Sequence, residues 1–448
     1  MDLKTVISPN ERVKPITTEI SVEGHLIVGG CDTVDLAEKF GTPLWIIDEA
    51  TARAAAHACL EGLKDYPNAR VIYAGKAFLC TAMCRLVDSM NLGLDVVSLG
   101  EMHTAAKAEF PPEKTYLHGN NKSQIEIDTA LKSGINIVLD SASELDLVQS
   151  RAHSLGQIAK VLIRVTPGIE PETHAHIKTG QHDSKFGILL AEVPALAQRI
   201  SRLKDSVKLL GLHAHIGSQG QDIEPYLSNA DVLVGLIEEL KRDYDIEIET
   251  LDLGGGLGIA YTEEDHPKAL FEWSKAIANR VKTLFQKNGL RQPALLLEPG
   301  RAIIGTAGVT LYRAGHGKTM GNHTNYLALD GGMADNPRPI TYQARYTACL
   351  ANRATEPETS VPLTLAGKYC ESGDIIVKEA YIPAKTGDLI AIFATGAYNY
   401  SMASNYNRTP RPACVLVADG AADLIIERET LEDLTRNDHI PKRLASSK

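Results

Sequence analysis

Aromatic side chains are scarce, 5% of 448 residues with two tryptophans and seven phenylalanines, so any core must be built largely from aliphatic groups. Cysteine is sparse too. Seven cysteines, an odd number spread along the chain, make no disulfide framework and suit a reducing compartment. No apolar run approaches the ~20 residues needed to cross a bilayer, which sets membrane insertion aside. Positive charge is in deficit: the formal net charge is -10 and the basic residues are scattered. No stripe therefore gathers a nucleic-acid backbone, and a nucleic-acid partner is not expected. The amino terminus, MDLKTVISPNERVKP, lacks both the apolar centre of a secretory signal and the Arg/Ser-rich character of a transit peptide. A cytoplasmic protein is expected.

What is present is a hydrophobic fraction of 44% with 23% charged residues, the balance of a globular chain. Its length exceeds one ordinary core, so two domains are expected, one of them of barrel size. From about residue 70 to 300 one unit recurs: a short β-branched run, a polar or glycine-bearing turn, then an amphipathic helical stretch. The runs are VIYAGK, LDVVS, TYLHG, NIVLD, KVLIRV, LLGLHAHIG, IETLDLGGG and ALLLEPGR, starting at Val71, Leu94, Thr115, Asn136, Lys160, Leu209, Ile248 and Ala294. Eight β/α units predict an α/β chain with a (β/α)8 barrel; a doubly wound open sheet is the structural rival. The turns favour the barrel, because the strands end in Lys76, Ser98, His118, Asp140, Arg164, His215, a glycine triplet and Glu298. Only a shared mouth would collect such reactive groups. After about residue 310, short strands such as YLALD, LTLAGKY, DLIAIFA and ACVLVADG predict a mostly antiparallel β domain. The expected division is a barrel over 46–310 and a β domain formed by 1–45 with 311–448.

Several residues carry candidate chemistry. Lys76 ends the first strand, where desolvation would favour the neutral, nucleophilic amine, although an ordinary strand-end lysine would look the same. Gly254, Gly255 and Gly256 close the seventh strand and leave backbone N–H groups free for a phosphate, in a spacing that does not fit the dinucleotide fingerprint. A phosphate site after strands seven and eight is the usual barrel arrangement. Glu298 begins EPGR, which places a carboxylate beside Pro299, Gly300 and the Arg301 guanidinium. Against a pyridine ring that carboxylate would keep the ring nitrogen protonated, whereas a structural ion pair is the bland alternative. GHGKT at Gly315 to Thr319 imitates half of a P-loop without its first glycine or a following helix. Cys80 and Cys84, one turn apart, read as a buried helix face. His213 and His215 alternate along one strand and could hold zinc, with His118 and Asp140 as further ligands, so a barrel zinc hydrolase is the rival function.

Nine stretches, YAGKA, HGNNKS, HIKTGQHDSKFG, GLHAHIGSQ, LDLGGGLGIAY, EPGR, DGGMADNPRPITY, GKYCESGD and GAYNYSMASNYN, then decide the matter. In that order, from about Gly41 to Val417, the chain resembles the diaminopimelate decarboxylase family, fold-type III enzymes dependent on pyridoxal 5'-phosphate (PLP). The resemblance implies that Lys76 holds PLP as a Schiff base, that His215 stacks on its ring and that Glu298 pairs with its nitrogen. It implies a phosphate region of Ser218, Gly254, Gly255, Gly256, Arg301 and Tyr398, flanked by Pro299 and Gly300. For substrate it implies Arg301, Arg338, Tyr342, Glu371 and Tyr398, with Cys370 as the proton donor and no metal. It also implies a head-to-tail homodimer in which Cys370 and Glu371 reach the partner's site. The reaction implied is decarboxylation of meso-2,6-diaminopimelate to L-lysine and carbon dioxide, the last step of lysine biosynthesis. Arg338 favours that substrate over ornithine, which has no distal carboxylate to bind. Departures from the family pattern are Phe78, Leu99, Ala260, Asn399 and, near Tyr342, Tyr346 in place of a common histidine. The last leaves D-lysine, D-ornithine and L-ornithine as alternative substrates. A PLP-binding homeostasis protein would share the barrel and the lysine but not the long β domain bearing Arg338 and Cys370.

Overall fold

The computed structural model of the protein describes residues 6–169, 184–321 and 324–444, in two compact units. Unit 1 comprises Met1–Ile16 with Ala50–Ala307, and unit 2 Thr17–Glu49 with Gly308–Lys448. Within unit 1 the eight apolar runs are eight strands: β1 Ala69–Ala74, β2 Gly93–Val96, β3 Thr115–Leu117, β4 Asn136–Leu139, β5 Ala159–Thr166, β6 Val207–His213, β7 Thr250–Asp252 and β8 Ala294–Leu297. Each pairs in parallel with the next, and β8 pairs with β1. The sheet therefore closes, as expected of eight β/α repeats. Ile72, Tyr116, Val138, Leu162 and Leu296, from five of the strands, fill its interior as one cluster of buried side chains. A packed interior confines chemistry to the rim, where the strands release their last residues.

The helices between strands follow the amphipathic stretches. The two longest, Glu224–Tyr244 and Leu270–Lys287, bury one face each and pack on one another. Cys84 lies buried in the helix Thr81–Ser89, whereas Cys80 caps it by accepting from the Met83 N–H. Ser98, counted above among reactive strand ends, is likewise a helix cap, accepting from the Glu101 N–H at 3.2 Å. Lys122 of HGNNKS is a buried ammonium satisfied by the carbonyls of Gly119 and Val138 and by Glu144. Its role is to join the loops after β3 and β4.

The unit boundaries differ from the expected 46 and 310. The first sixteen residues belong with unit 1 because Asn10, fully buried, donates to the carbonyls of Gly258 and Lys268 and accepts from the Leu270 N–H. A buried amide with its hydrogen bonds met holds an otherwise irregular segment in place. Unit 2 is built around the long strand Gly308–Met320, antiparallel to Leu44–Asp48, Thr324–Leu329 and Leu389–Phe393. Two pairings are parallel, Thr324–Leu329 with Leu363–Ala366 and Ala413–Ala418 with Leu44–Asp48, so the sheet is mixed but mostly antiparallel. GHGKT lies within Gly308–Met320 as extended strand, so it forms no phosphate loop. Among the described residues no helix is long and apolar enough to cross a membrane.

One buried acid organises a loop cluster in unit 2. Asp335 accepts from the Tyr312 hydroxyl, from the Gly332 N–H at 2.9 Å and from the Tyr369 hydroxyl at 3.3 Å. Burial pushes its carboxyl up to about 7, against these hydrogen bonds, which favour the charged form. A folded-state value above the unfolded one stabilises the fold fully below the ordinary carboxyl range, and this contribution disappears as pH rises through about 7. The melting temperature should therefore fall between about pH 4 and 7 and level off above, and Asp335→Asn should flatten that slope. Parallel melting curves for the two proteins would contradict the assignment.

Candidate active site

The carboxyl ends of the barrel strands bring most of the predicted unit 1 residues to one rim. Lys76 sits in the single 3-10 turn Gly75–Ala77 that follows β1, its side chain partly exposed and its Nζ 3.9 Å from Asp95 Oδ2. Asp95 lies on β2 and is 1% exposed, a carboxyl inside an otherwise apolar run. His118 leaves β3, Asp140 leaves β4, and Arg164 lies on β5 with its Nη1 4.0 Å from Asp140 Oδ1. His213 ends β6, Asp252 ends β7, and Glu298 follows β8.

Glu298 is the centre of this group. It is 4% exposed, its Oε2 accepts from His213 Nε2 at 3.2 Å, and its Oε1 lies 3.0 Å from His118 Nε2. The two imidazoles meet edge to face, 4.9 Å between centroids. Burial pushes the Glu298 carboxyl up, but His118 and then His213 outweigh it and hold the group well below its ordinary range. Its acidic neighbours go the other way. Burial, then the charge of Glu298, raises Asp252 well above normal, and burial raises Asp95. Negative charge in this cluster therefore settles on Glu298.

The glycine turn after β7 has no room for side chains. A Cβ at Gly255 would lie 1.9 Å from the Glu298 carbonyl oxygen, and one at Gly256 2.0 Å from that of Gly217. The backbone of Gly254 and Gly256 takes φ of +66° and +114°, which favours glycine. Asp252 fixes the turn by accepting from the Gly254 N–H at 2.9 Å, and His215 Nδ1 accepts from the Gly255 N–H at 3.3 Å. Burial, then the charges of Lys76 and Arg164, keeps the His215 imidazole well below its usual range, hence neutral. Arg301 donates to the Ser218 hydroxyl at 3.0 Å and to the Tyr261 hydroxyl. Pro299 and Gly300 carry the chain between Glu298 and Arg301, with Gly300 packed so that a Cβ would lie 2.9 Å from the Ala74 Cβ.

The predicted zinc pair does not form. β6 stops at His213, and His215 turns away to the glycine loop. Among the described residues, the potential ligand atoms that do converge, within 4.8 Å of one another, belong to His118, His213 and Glu298. The stretch HIKTGQHDSKFG lies outside the described residues up to position 183.

Unit 2 gathers its own predicted residues. Arg338 opens the short helix Arg338–Tyr342, is 6% exposed, and donates from Nη1 to the Tyr346 hydroxyl at 2.7 Å. Tyr346, the departure from the family pattern, thus braces the predicted substrate arginine. Tyr342 is 61% exposed and Cys370 is exposed, with its backbone N–H donating to Asn407 Oδ1. Glu371 Oε1 accepts from the Gly373 N–H, and the residue lines a cleft of about 670 Å3 together with His316, Lys318 and Tyr326. Tyr398 holds φ +61°, a strained setting for a tyrosine that functional sites tolerate.

Sequence reading missed Asp95, Asp252, Tyr261 and the bracing role of Tyr346. The available signal for Asp95 was a lone charge within a run that is otherwise apolar.

The rim fits PLP. A buried carboxylate held well below its ordinary range suits a ring N–H, a glycine turn with no room for side chains beside an arginine and a serine suits a phosphate, and a lysine stands nearby. The family described as "Pyridoxal-dependent decarboxylase, pyridoxal binding domain" matches residues 52–305. The diaminopimelate decarboxylase of Synechocystis sp. is 44% identical over 98% of this chain and 95% of that protein. The enzyme of the same name from Bacillus subtilis is 43% identical over 94% and 97%. The crystal structure of diaminopimelate decarboxylase from M. jannaschii in complex with L-lysine shares 34% identity at a TM-score of 0.90, covering 97% of this chain and all of that one. With barrel, rim and likeness along almost its whole length, the chain belongs to the diaminopimelate decarboxylase family of pyridoxal-dependent decarboxylases.

Proposed function

We propose that this enzyme removes one carboxylate from meso-2,6-diaminopimelate, giving L-lysine and carbon dioxide as the closing step of lysine biosynthesis in the cytoplasm. The observation that carries the substrate is Arg338, a buried guanidinium braced by Tyr346 in a segment that also presents Tyr342. Diaminopimelate has an amino acid head at each end; the distal head is what the other basic amino acids lack. Arg338 takes its carboxylate and Glu371 its ammonium, with Tyr342 and Tyr398 completing the pocket.

Bound PLP supplies an electron sink for the pair left behind when carbon dioxide departs. The chain's own residues set that up. Lys76 anchors the cofactor, His215 stacks on its ring as a neutral imidazole, and Glu298 keeps a negative charge opposite its nitrogen. Gly254, Gly255 and Gly256 bring bare backbone close to the phosphate, the first two N–H groups being held by Asp252 and His215, with Ser218, Arg301 and Tyr398 around it and Pro299 and Gly300 shaping the turn. Arg301 also faces the substrate. Cys370 returns a proton to the α-carbon, a role supported by its exposed thiol. The exposure of Cys370 and Tyr342 in the single chain also supports a head-to-tail homodimer in which Cys370 and Glu371 complete the partner's site. The β unit thus serves substrate binding and dimer formation, the barrel cofactor binding.

Carbon dioxide release from meso-diaminopimelate, D-lysine, D-ornithine and L-ornithine tests the substrate: kcat/KM should be highest for the first by at least about 100-fold, the worth of a charge-assisted contact pair. Equal turnover of ornithine would refute it. Arg338→Ala should raise KM for diaminopimelate about 30-fold or more while barely changing turnover of substrates without the distal carboxylate. Cys370→Ala should bind substrate normally yet lose about 100-fold or more in kcat, and near-normal turnover would mean that another group supplies the proton.

A further inference from the structure

Two histidines at the barrel rim have no part in the reaction so far described. His118 and His213 are 4% and 1% exposed, and each points Nε2 at a different oxygen of Glu298, at 3.0 and 3.2 Å. They come from different strands, β3 and β6, and their rings support one another edge to face. The convergence is costly to build. Asp95, with its Oδ1 3.7 Å from His118 Nε2, and Asp252 share the cluster, and Arg164 and Lys76 are the cations acting on it. Three buried carboxyls in one place cannot all ionise, so something must choose which one does.

We infer that His118 and His213 are positioning residues for Glu298: one imidazole N–H for each carboxylate oxygen keeps this acid ionised and aimed at the pyridine nitrogen. The inference rests on Glu298 being the ring nitrogen's partner. Its consequence is a division of labour among chemically similar groups. Asp252 caps backbone, and burial pushes both it and Asp95 toward the protonated form, while Glu298, held as an anion, faces the ring. Burial holds His213 down at about 4, so this imidazole solvates the carboxylate without cancelling its charge. A cationic imidazole would offset the charge that the ring nitrogen needs. The tautomer follows too: Nε2 of His213 carries the hydrogen, and its buried Nδ1 has no hydrogen-bond partner among the described residues.

Two measurements decide the matter. In wild-type holoenzyme labelled with 15N-histidine, Nε2 of both residues should carry hydrogen from about pH 6 to 9, well above the range where His213 would ionise. An unprotonated Nε2 on either residue overturns the clamp, whatever any variant does. In enzyme reconstituted with 15N-labelled PLP, the ring-nitrogen signal reports protonation directly. Replacing His118 or His213 by leucine should weaken that protonation about tenfold per donor removed, a displacement of about one pH unit in the titration. His213→Gln, whose amide can donate from near the Nε2 position, should restore it. Glu298→Gln separates the two levels. If it abolishes ring protonation but the leucine variants leave it unchanged, Glu298 is the ring partner and the histidines are only packing. If Glu298→Gln itself leaves the signal unchanged, the pairing of Glu298 with the ring fails and the clamp fails with it.

Discussion

Burying a carboxylate is the constraint on which the barrel rim depends. A charge taken out of water costs several kcal/mol unless donors meet it, and an acid left without them takes up a proton instead. Glu298 meets the condition through His118 and His213, while Asp252 has one backbone N–H and, like Asp95, is pushed up by burial. The strand order matters for this reason. Only a closed sheet brings the ends of β2, β3, β6, β7 and β8 close enough to share one electrostatic problem, and each strand contributes one group to its solution.

The backbone is governed by the same centre. Gly255 lies so near the Glu298 carbonyl that no side chain fits, and Asp252 fastens the first N–H of the glycine turn. Glu298 and the glycine turn are thus neighbours across β7 and β8, and their spacing is fixed by strand pairing rather than by flexible loops. In unit 2 another buried acid plays a comparable part. Asp335 ties the turn preceding Arg338 to Tyr369, the residue before Cys370, so one carboxyl holds together the two segments that carry the proposed substrate arginine and proton donor.

Much of this was legible in the chain. Eight β-branched runs with reactive residues at their ends favoured a barrel over an open sheet, and Lys76, Gly254 to Gly256, Glu298 and Arg301 stood at those ends because strand termini are where a barrel does chemistry. Less legible were features that depend on contacts distant in sequence. Asn10 joins unit 1 through bonds to residues about 250 positions away, so the segment before residue 17 could not be assigned by pattern. Alternation along a strand suggested that His213 and His215 would work as a pair. The strand ends between them, and the first histidine joined His118 instead. Ser98 had the chemistry of a site residue and the position of a helix cap, and only the hydrogen bond to Glu101 separates the two.

The central claim is that the rim exists to hold PLP on Lys76. Borohydride reduction of the PLP-loaded enzyme fixes the cofactor to whichever amine carries it, and peptide mass spectrometry then locates it. The account predicts a single phosphopyridoxyl group on the peptide containing Lys76. A label on another lysine, or none at all, would contradict it.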